Sequence, residues 1–452
     1  HYQLSLERMV ALARSVNARV TFVTPASNLK DCSPFKSEYT EGLNLADVQR
    51  SRKILAQAKE EIQENNWPAA LNLLAVGVTL DPRHAELQYQ RGQTLLALDR
   101  YQEAENALRL ARDEDVCPLR ALTPLPRIVA QVAKEKGAGL VDYIDLLAQR
   151  MKATQGHGIP GKEFFLDHVH PTIEGHKILA VALIKEMIKE GIVQPDASWS
   201  EVAIEKVDEK IRASVNTETQ SLALANLSRV MLWAKKTADA ERLAKQALEI
   251  ADGNNNAAIS ATSLLTTIYM QQHKSEPAFS LIYSALEKAP GAIELHLQLA
   301  RFLLVPSFED LEKSAANLLL VNRMMPDYDE GHALFGMVMA RRGRPRIAYP
   351  SLMQALHLNP NNIRARKALD EIRPLLKGQL PDPQPADIVF DTYPSKAPHQ
   401  LVQVRHGDSG KRIHDGIEVE FYENGRLKRF LDISMGKSNG VEMTWDMNGN
   451  RL

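Results

Sequence analysis

Asp167 and His170 stand three residues apart in the stretch Phe164-Phe-Leu-Asp-His-Val-His-Pro-Thr-Ile-Glu-Gly-His176. In a loop that leads into a helix, this spacing suits an oriented general base. A carboxylate that accepts the imidazole Nδ1 proton fixes the tautomer and leaves Nε2 to take a proton from a hydroxyl. His168, His170 and His176 are also types that ligate zinc, although no glutamate is suitably spaced to serve as a base beside such a metal. Taken alone, His168 and His176 read as structural. Two further candidates, as substrate contacts, are Asn28 and Arg120. Asn28 follows the Pro25 turn, where α/β sheets place ligand loops. Met324, Met325, Met337 and Met339 read as core rather than cofactor contacts, and no cofactor is expected.

The elements that must hold this loop alternate helix and strand. An amphipathic helix over Leu4–Arg14 carries Leu6, Met9, Val10 and Ala13 on one face. The apolar strand Arg19-Val-Thr-Phe-Val-Thr-Pro25 follows. Further on come a helix over about 126–136, a second strand Gly139–Tyr143, a helix over about 144–152, and a loop with Gly156, Gly158, Pro160 and Gly161. A helix over about 172–190 closes the series. Such alternation predicts a parallel α/β sheet.

Asp167, His170, Pro171, Thr172, Gly175 and His176 together resemble the terminal block D-x-x-H-P-T-x-x-G-H of the SGNH (GDSL-like) hydrolases. The resemblance covers residues 1–40 and 117–192. It implies a partial SGNH-like parallel sheet and an esterase acting on an acylated substrate, with His170 as the base of a Ser–His–Asp triad and Asp167 as its orienter. Serine attack, an acyl-enzyme and hydrolysis by water would follow. The family's nucleophile and oxyanion blocks precede the first helix seen here, so they are expected upstream of His1, and the chain alone is expected to be inactive. Relatives of this kind often carry an N-terminal membrane anchor, so an extracytoplasmic, bacterial setting is the expectation.

Small residues recur every 34 positions between the two strands. Ser51, Ala58, Ala70, Leu74, Gly77 and Pro82 are followed one unit later by Ala85, Gly92, Ala104, Leu108 and Ala111. Small residues let two helices of a hairpin approach closely, and proline stops the second helix. Similar units start near Ser221, Ile259, Leu295 and Asp329, the third slipping register around Pro306–Ser307. These resemble tetratricopeptide repeats, which implies all-α solenoids binding protein partners: one array inserted at 41–116 and another at 200–375. An inserted domain needs its ends close together. The turns Asp31-Cys32-Ser33-Pro34 and Asp115-Val116-Cys117-Pro118 are therefore predicted to be neighbours.

Near the C-terminus, Gly416-Ile-Glu-Val-Glu-Phe-Tyr-Glu-Asn-Gly425 recurs 24 positions later as Gly440-Val-Glu-Met-Thr-Trp-Asp-Met-Asn-Gly449. Alternating apolar residues predict strands, and the Asn-Gly pairs predict type I′ hairpins. The pattern resembles MORN-like β-hairpin repeats over 401–452, after a Pro-rich linker at 376–400. With Lys+Arg 55 against Asp+Glu 56, the net charge is −1, and no nucleic-acid partner is expected. Arg405, His406, Lys411, Arg412 and His414 read as a solvated face.

Overall fold

The computed structural model describes residues 1–251, 256–378, 380–406, 411–438, 440 and 442–452. The spans expected for the second array, the linker and the terminal hairpins each include positions outside these, Val441 among them. The chain divides into two compact units, 1–214 and 215–452. Among the described residues no helix is long and apolar enough to cross a membrane.

The first unit runs α1 (Tyr2–Ser15), β1 (Thr21–Val23), α2 (Leu45–Gln63), α3 (Trp67–Leu80), α4 (Ala85–Ala97), α5 (Tyr101–Asp113), α6 (Pro124–Lys136), β2 (Gly139–Val141), α7 (Tyr143–Gln155), α8 (Ile173–Lys189) and α9 (Glu201–Ser214). β1 and β2 pair in parallel with Phe22 opposite Leu140. Leu6, Val10, Phe22, Val129, Val132 and Ala133 join α1, α6 and β1 in one core. The SGNH-like parallel sheet expected from the sequence is corrected by this arrangement. Among the described residues the parallel pairing is two strands of three residues each. Pro25 follows β1 closely, and Asp142 caps α7 one residue after β2 ends, its side chain accepting from the Asp145 N–H at 3.2 Å.

Between the strands stand two antiparallel helix hairpins, α2/α3 and α4/α5, 34 residues apart. A Cβ on Gly92 would lie 2.6 Å from Leu108 Cγ, so glycine permits the close packing of α4 on α5. The ends of this insertion are stitched together. Asp115 Oδ2 and Oδ1 accept from the Phe35 and Lys36 N–H groups at 2.8 and 3.0 Å, and the Val116 N–H donates to Lys36 O at 3.0 Å. The entry and exit turns are thus adjacent, although Cys32 and Cys117 form no disulfide.

The second unit stacks α10 (Thr217–Trp233), α11 (Thr237–Ile250), α12 (Asn256–Gln271), α13 (Ser275–Lys288), α14 (Ile293–Phe302), α15 (Leu311–Met324), α16 (Asp329–Arg341), α17 (Pro345–Leu358) and α18 (Ile363–Ile372). The slip expected near Pro306 is a 3-10 turn over Pro306–Phe308 between α14 and α15. Side chains of Asn216, Asp310 and Asn362 accept backbone N–H groups at the starts of α10, α15 and α18, satisfying donors that a helix leaves open. One bond recurs that the sequence reading did not anticipate. The side chain six residues after an inter-repeat proline donates to that proline's carbonyl: Gln88 to Pro82, His296 to Pro290, His332 to Pro326 and Arg366 to Pro360, at 2.7, 2.8, 2.8 and 2.5 Å.

An antiparallel sheet of β3 (Asp387–Thr392), β4 (Pro398–His406), β5 (Arg412–Phe421), β6 (Leu427–Ser434), β7 (Lys437–Ser438) and β8 (Met443–Thr444) closes the unit, in the order β3-β4-β5-β6-β7 with β8 also on β6. Leu401, Val419, Phe421, Phe430 and Trp445 share one core with Leu318, Leu319, Val338 and Met339 of the helices. Arg342 fixes the contact. It donates to both Asp432 oxygens at 3.0 and 3.1 Å and lies 4.4 Å over the Phe430 ring.

Two expectations for this region are corrected. The stretch 376–400 contains a strand, because Ile388 and Phe390 pair with β4 as a regular ladder. The Asn-Gly hairpins are not type I′. Gly425 and Gly449 have φ of 77° and 88°, but neither Asn424 nor Asn448 has positive φ. In each turn the glycine N–H donates three residues back, to Tyr422 O or Asp446 O, at 2.9 Å, and only the glycine takes the left-handed conformation. A register shift beside Phe421 absorbs the extra residue, as in a bulged three-residue hairpin.

Candidate functional site

Asp167 and His170 lie in a tight loop closed by Leu166 N–H to His170 O at 2.8 Å and Thr172 N–H to Phe164 O at 2.9 Å. Thr172 begins α8, its hydroxyl accepting from the Gly175 N–H at 3.2 Å. Gly175 must be glycine, since a Cβ there would meet Phe164 O at 2.6 Å. Tyr143, from the start of α7, donates to Gly175 O at 2.9 Å, and burial pushes its own hydroxyl pKa up to about 12.

His170 Nδ1 lies 2.7 Å from Asp167 Oδ2. Asp167 Oδ1 accepts from the backbone N–H groups of Val169 and His170, both at 2.8 Å. Burial works to raise the Asp167 carboxyl, but the bonds from the His170 N–H, the His170 ring and the Val169 N–H hold it below the ordinary carboxylate range. An ionised Asp167 can only accept, so Nδ1 carries a proton, and in the neutral ring Nε2 carries the lone pair. The His170 side chain is 70% exposed and that of Asp167 1% exposed. The pair thus presents a base to solvent from a buried anchor.

Asn28 and Arg120 come to the same place, but as supports. All four polar groups of Asn28 are engaged. Its Nδ2 donates to Asp167 O at 3.1 Å, its Oδ1 accepts from the Asp31 N–H at 2.9 Å, its N–H donates to His168 O at 3.0 Å, and its carbonyl accepts from Arg120 Nη1 at 3.1 Å. Arg120 Nη1 also reaches Cys32 O at 2.8 Å. With Asn28 1% and Arg120 4% exposed, neither side chain faces solvent. His168 packs edge-on against Phe35, and His176 stands exposed in the first turn of α8. Among the described residues no three His, Cys, Asp or Glu side chains are grouped to hold a metal.

The sequence reading missed the ion pairs that brace this loop. Buried Lys30 meets Glu163 at 2.7 Å and Asp31 at 3.2 Å, and Asp31 Oδ2 accepts from the Lys162 N–H at 2.8 Å. Spacings of 1 and 133 residues give no periodic signal. Also missed were two short nucleophile-type matches near the C-terminus. Gly407-Asp408-Ser409 lies outside the described residues. Gly436-Lys437-Ser438-Asn439-Gly440 puts Ser438 in β7, paired antiparallel with β6, and not in the strand-to-helix turn that raises a hydrolase nucleophile.

The second unit carries a hollow of about 340 Å³. Leu304, Leu334 and Met337 form its apolar part, and Arg301, Arg341 and Arg364 stand around it with Glu330. Arg341 pairs with Glu309 at 2.7 Å and Arg364 with Glu330 at 3.2 Å, while Arg301 donates to the Tyr328 hydroxyl at 3.1 Å.

No family model matches the chain, and no curated protein matches it. Solved structures with similar stretches include a mutant of MamA, 16% identical over 35% of this chain and 90% of that one, with a TM-score of 0.29. Another is YrrB, titled a TPR protein with an unusual peptide-binding site, 14% identical over 42% and 88%, with a TM-score of 0.28. Scores this low add no weight, and the helix-hairpin description rests on the chain's own 34-residue register.

Proposed function

We propose that the chain is a repeat scaffold whose second unit holds a protein partner through an acidic segment bearing an aliphatic side chain. The observation that supports this is the 340 Å³ hollow of the helical array, where three arginines surround Leu304, Leu334 and Met337. An aliphatic side chain fills the apolar part, and carboxylates beside it meet the Arg301 guanidinium and share those of Arg341 and Arg364 with Glu309 and Glu330. The test is fluorescence anisotropy with short acidic–aliphatic peptides. Binding should weaken about tenfold or more in Arg301→Glu and Arg364→Glu, and weaken with salt. Equal binding of basic and acidic peptides would refute the reading.

A second reading is favoured by one observation, the 2.7 Å contact of Asp167 with His170. Here the first unit supplies the base and orienter of an SGNH-like hydrolase acting on an ester or acylated substrate. This reading stands behind the first because the parallel pairing is limited to β1 and β2 and no nucleophile stands in a suitable turn among the described residues. Imidazole ¹⁵N spectra test it. His170 should be in the Nδ1–H tautomer, and Asp167→Ala should lose that preference. On p-nitrophenyl acetate this chain and its His170→Ala variant should show equal rates. A rate lost only in the variant would show that a nucleophile is within reach.

A further inference from the structure

The first helix of the second inserted hairpin has one face that would be expected to meet an outside partner, and that face is already filled. Tyr89 and Gln93, one turn apart on α4, both donate to the main-chain carbonyl of Lys30, the tyrosine hydroxyl at 3.1 Å. Leu29 and Ile159 pack against Leu95, Ala104, Ala107 and Leu108 of the same hairpin. The Leu29 N–H in turn donates to Pro160 O at 3.0 Å. So α4 and α5 grip two strands of irregular chain together, the one that carries Asn28 and the one that leads to Asp167.

We propose that Tyr89 and Gln93 are positioning residues for the Asp167–His170 pair, and that the inserted repeats bind their own chain's segment 27–33 rather than a separate protein. The route is short. The two side chains fix the Lys30 carbonyl, which sets the turn in which Asn28 Oδ1 accepts from the Asp31 N–H. That turn aims Asn28 Nδ2 at Asp167 O. Asp167 then holds His170 through Nδ1. A helix face that clamps an extended carbonyl with two donors at i and i+4 needs no periodic partner sequence, only a carbonyl at the right height. This inference rests on the second reading above, in which the pair is a base and its orienter.

The experiment uses the whole chain with Tyr89→Phe, which keeps the ring, and the double variant Tyr89→Phe with Gln93→Ala. Amide exchange at Leu29 and Asp31 and the ¹⁵N tautomer signature of His170 are read together. Exchange at both amides should rise about tenfold in the double variant, the loss of a hydrogen bond at a buried carbonyl, and the His170 nitrogens should move toward a mixed tautomer while α2–α5 stay protected. Unchanged exchange and tautomer in the double variant would overturn the proposal. So would a uniform loss of protection across α2–α5 in both variants, since that marks a general fold contact. If wild-type His170 itself is not Nδ1–H, the base reading fails, and the positioning role fails with it. If wild-type His170 is Nδ1–H and the double variant matches it, the positioning role alone fails.

Discussion

Replacing Asn28 tests how the first unit is held together. Asn28→Ala removes two side-chain bonds, to Asp167 O and from the Asp31 N–H. Asn28 is 1% exposed, so water does not simply take over. Each buried group left without a partner costs about 1–3 kcal/mol. Two such groups give a loss of roughly 2–6 kcal/mol on the same principle, and because the Asp31 N–H is only half-buried about 3 is the expected value. Asn28→Asp differs in a way that identifies the mechanism. Its carboxylate still accepts from the Asp31 N–H but meets the Asp167 carbonyl with no proton to give. Burial raises a carboxyl pKa, so on acidification the group protonates and donates again. Asn28→Asp should therefore lose more than Asn28→Ala at pH 7 and recover part of it near pH 5. Native-state hydrogen exchange read on peptides spanning 21–33 and 157–172 is the assay. About 3 kcal/mol corresponds to roughly a hundredfold faster exchange. A change below about twofold in Asn28→Ala, or a pH-independent loss in Asn28→Asp, would show that the two side-chain bonds of Asn28 do not carry the loop.

Other outcomes follow from the same packing. Burial holds the His296 and His332 imidazoles below their ordinary value, so the folded second unit keeps them neutral while the unfolded chain gains protons below about pH 6.5. Their stabilisation is complete above that pH and falls as pH drops through it. His296→Gln, which keeps a donor as Gln88 does toward Pro82, should flatten this acid limb in urea titrations from pH 7 to 5. Asp167 works on a lower window: its contribution is full above about pH 4 and lost below, and Asp167→Asn should abolish that dependence. Gly336→Ala places a Cβ 2.6 Å from Leu352 Cγ and should cost about 1–3 kcal/mol in the denaturation midpoint of the second unit. Asp432→Ala removes the two-oxygen partner of buried Arg342, leaves it only Glu312 at 3.1 Å, and should cost about 1–3 kcal/mol by the same measurement.

Local pattern was legible where chemistry is local. The helix over Tyr2–Ser15, the strands at 21–23 and 139–141, and the hairpins around Gly92 and Gly336 follow from periodicity, prolines and small residues. The Asp167–His170 contact follows from a spacing of three. What the sequence hid is what long separations decide. Asn28 reads as a ligand contact because it follows a strand, yet its amide is consumed by Asp167, 139 residues away. The parallel sheet is over-read because alternating elements do not say how many strands pair. Met324 and Met325 read as core but are 49% and 41% exposed, since a helix end at Met324 turns them outward, whereas Met339 is fully buried. The Asn-Gly turns misled for a subtler reason. The dipeptide permits positive φ at both residues, but the bulge at Phe421 leaves only glycine to adopt it.

The scaffold reading meets its most direct test in a hydrogen-exchange footprint of the whole chain with the tightest-binding acidic–aliphatic peptide. The account predicts added protection confined to α14, α16 and the start of α18, around Arg301, Met337 and Arg364, and its disappearance in Arg364→Glu. Protection on the antiparallel sheet instead, or none on these helices at saturating peptide, would contradict it.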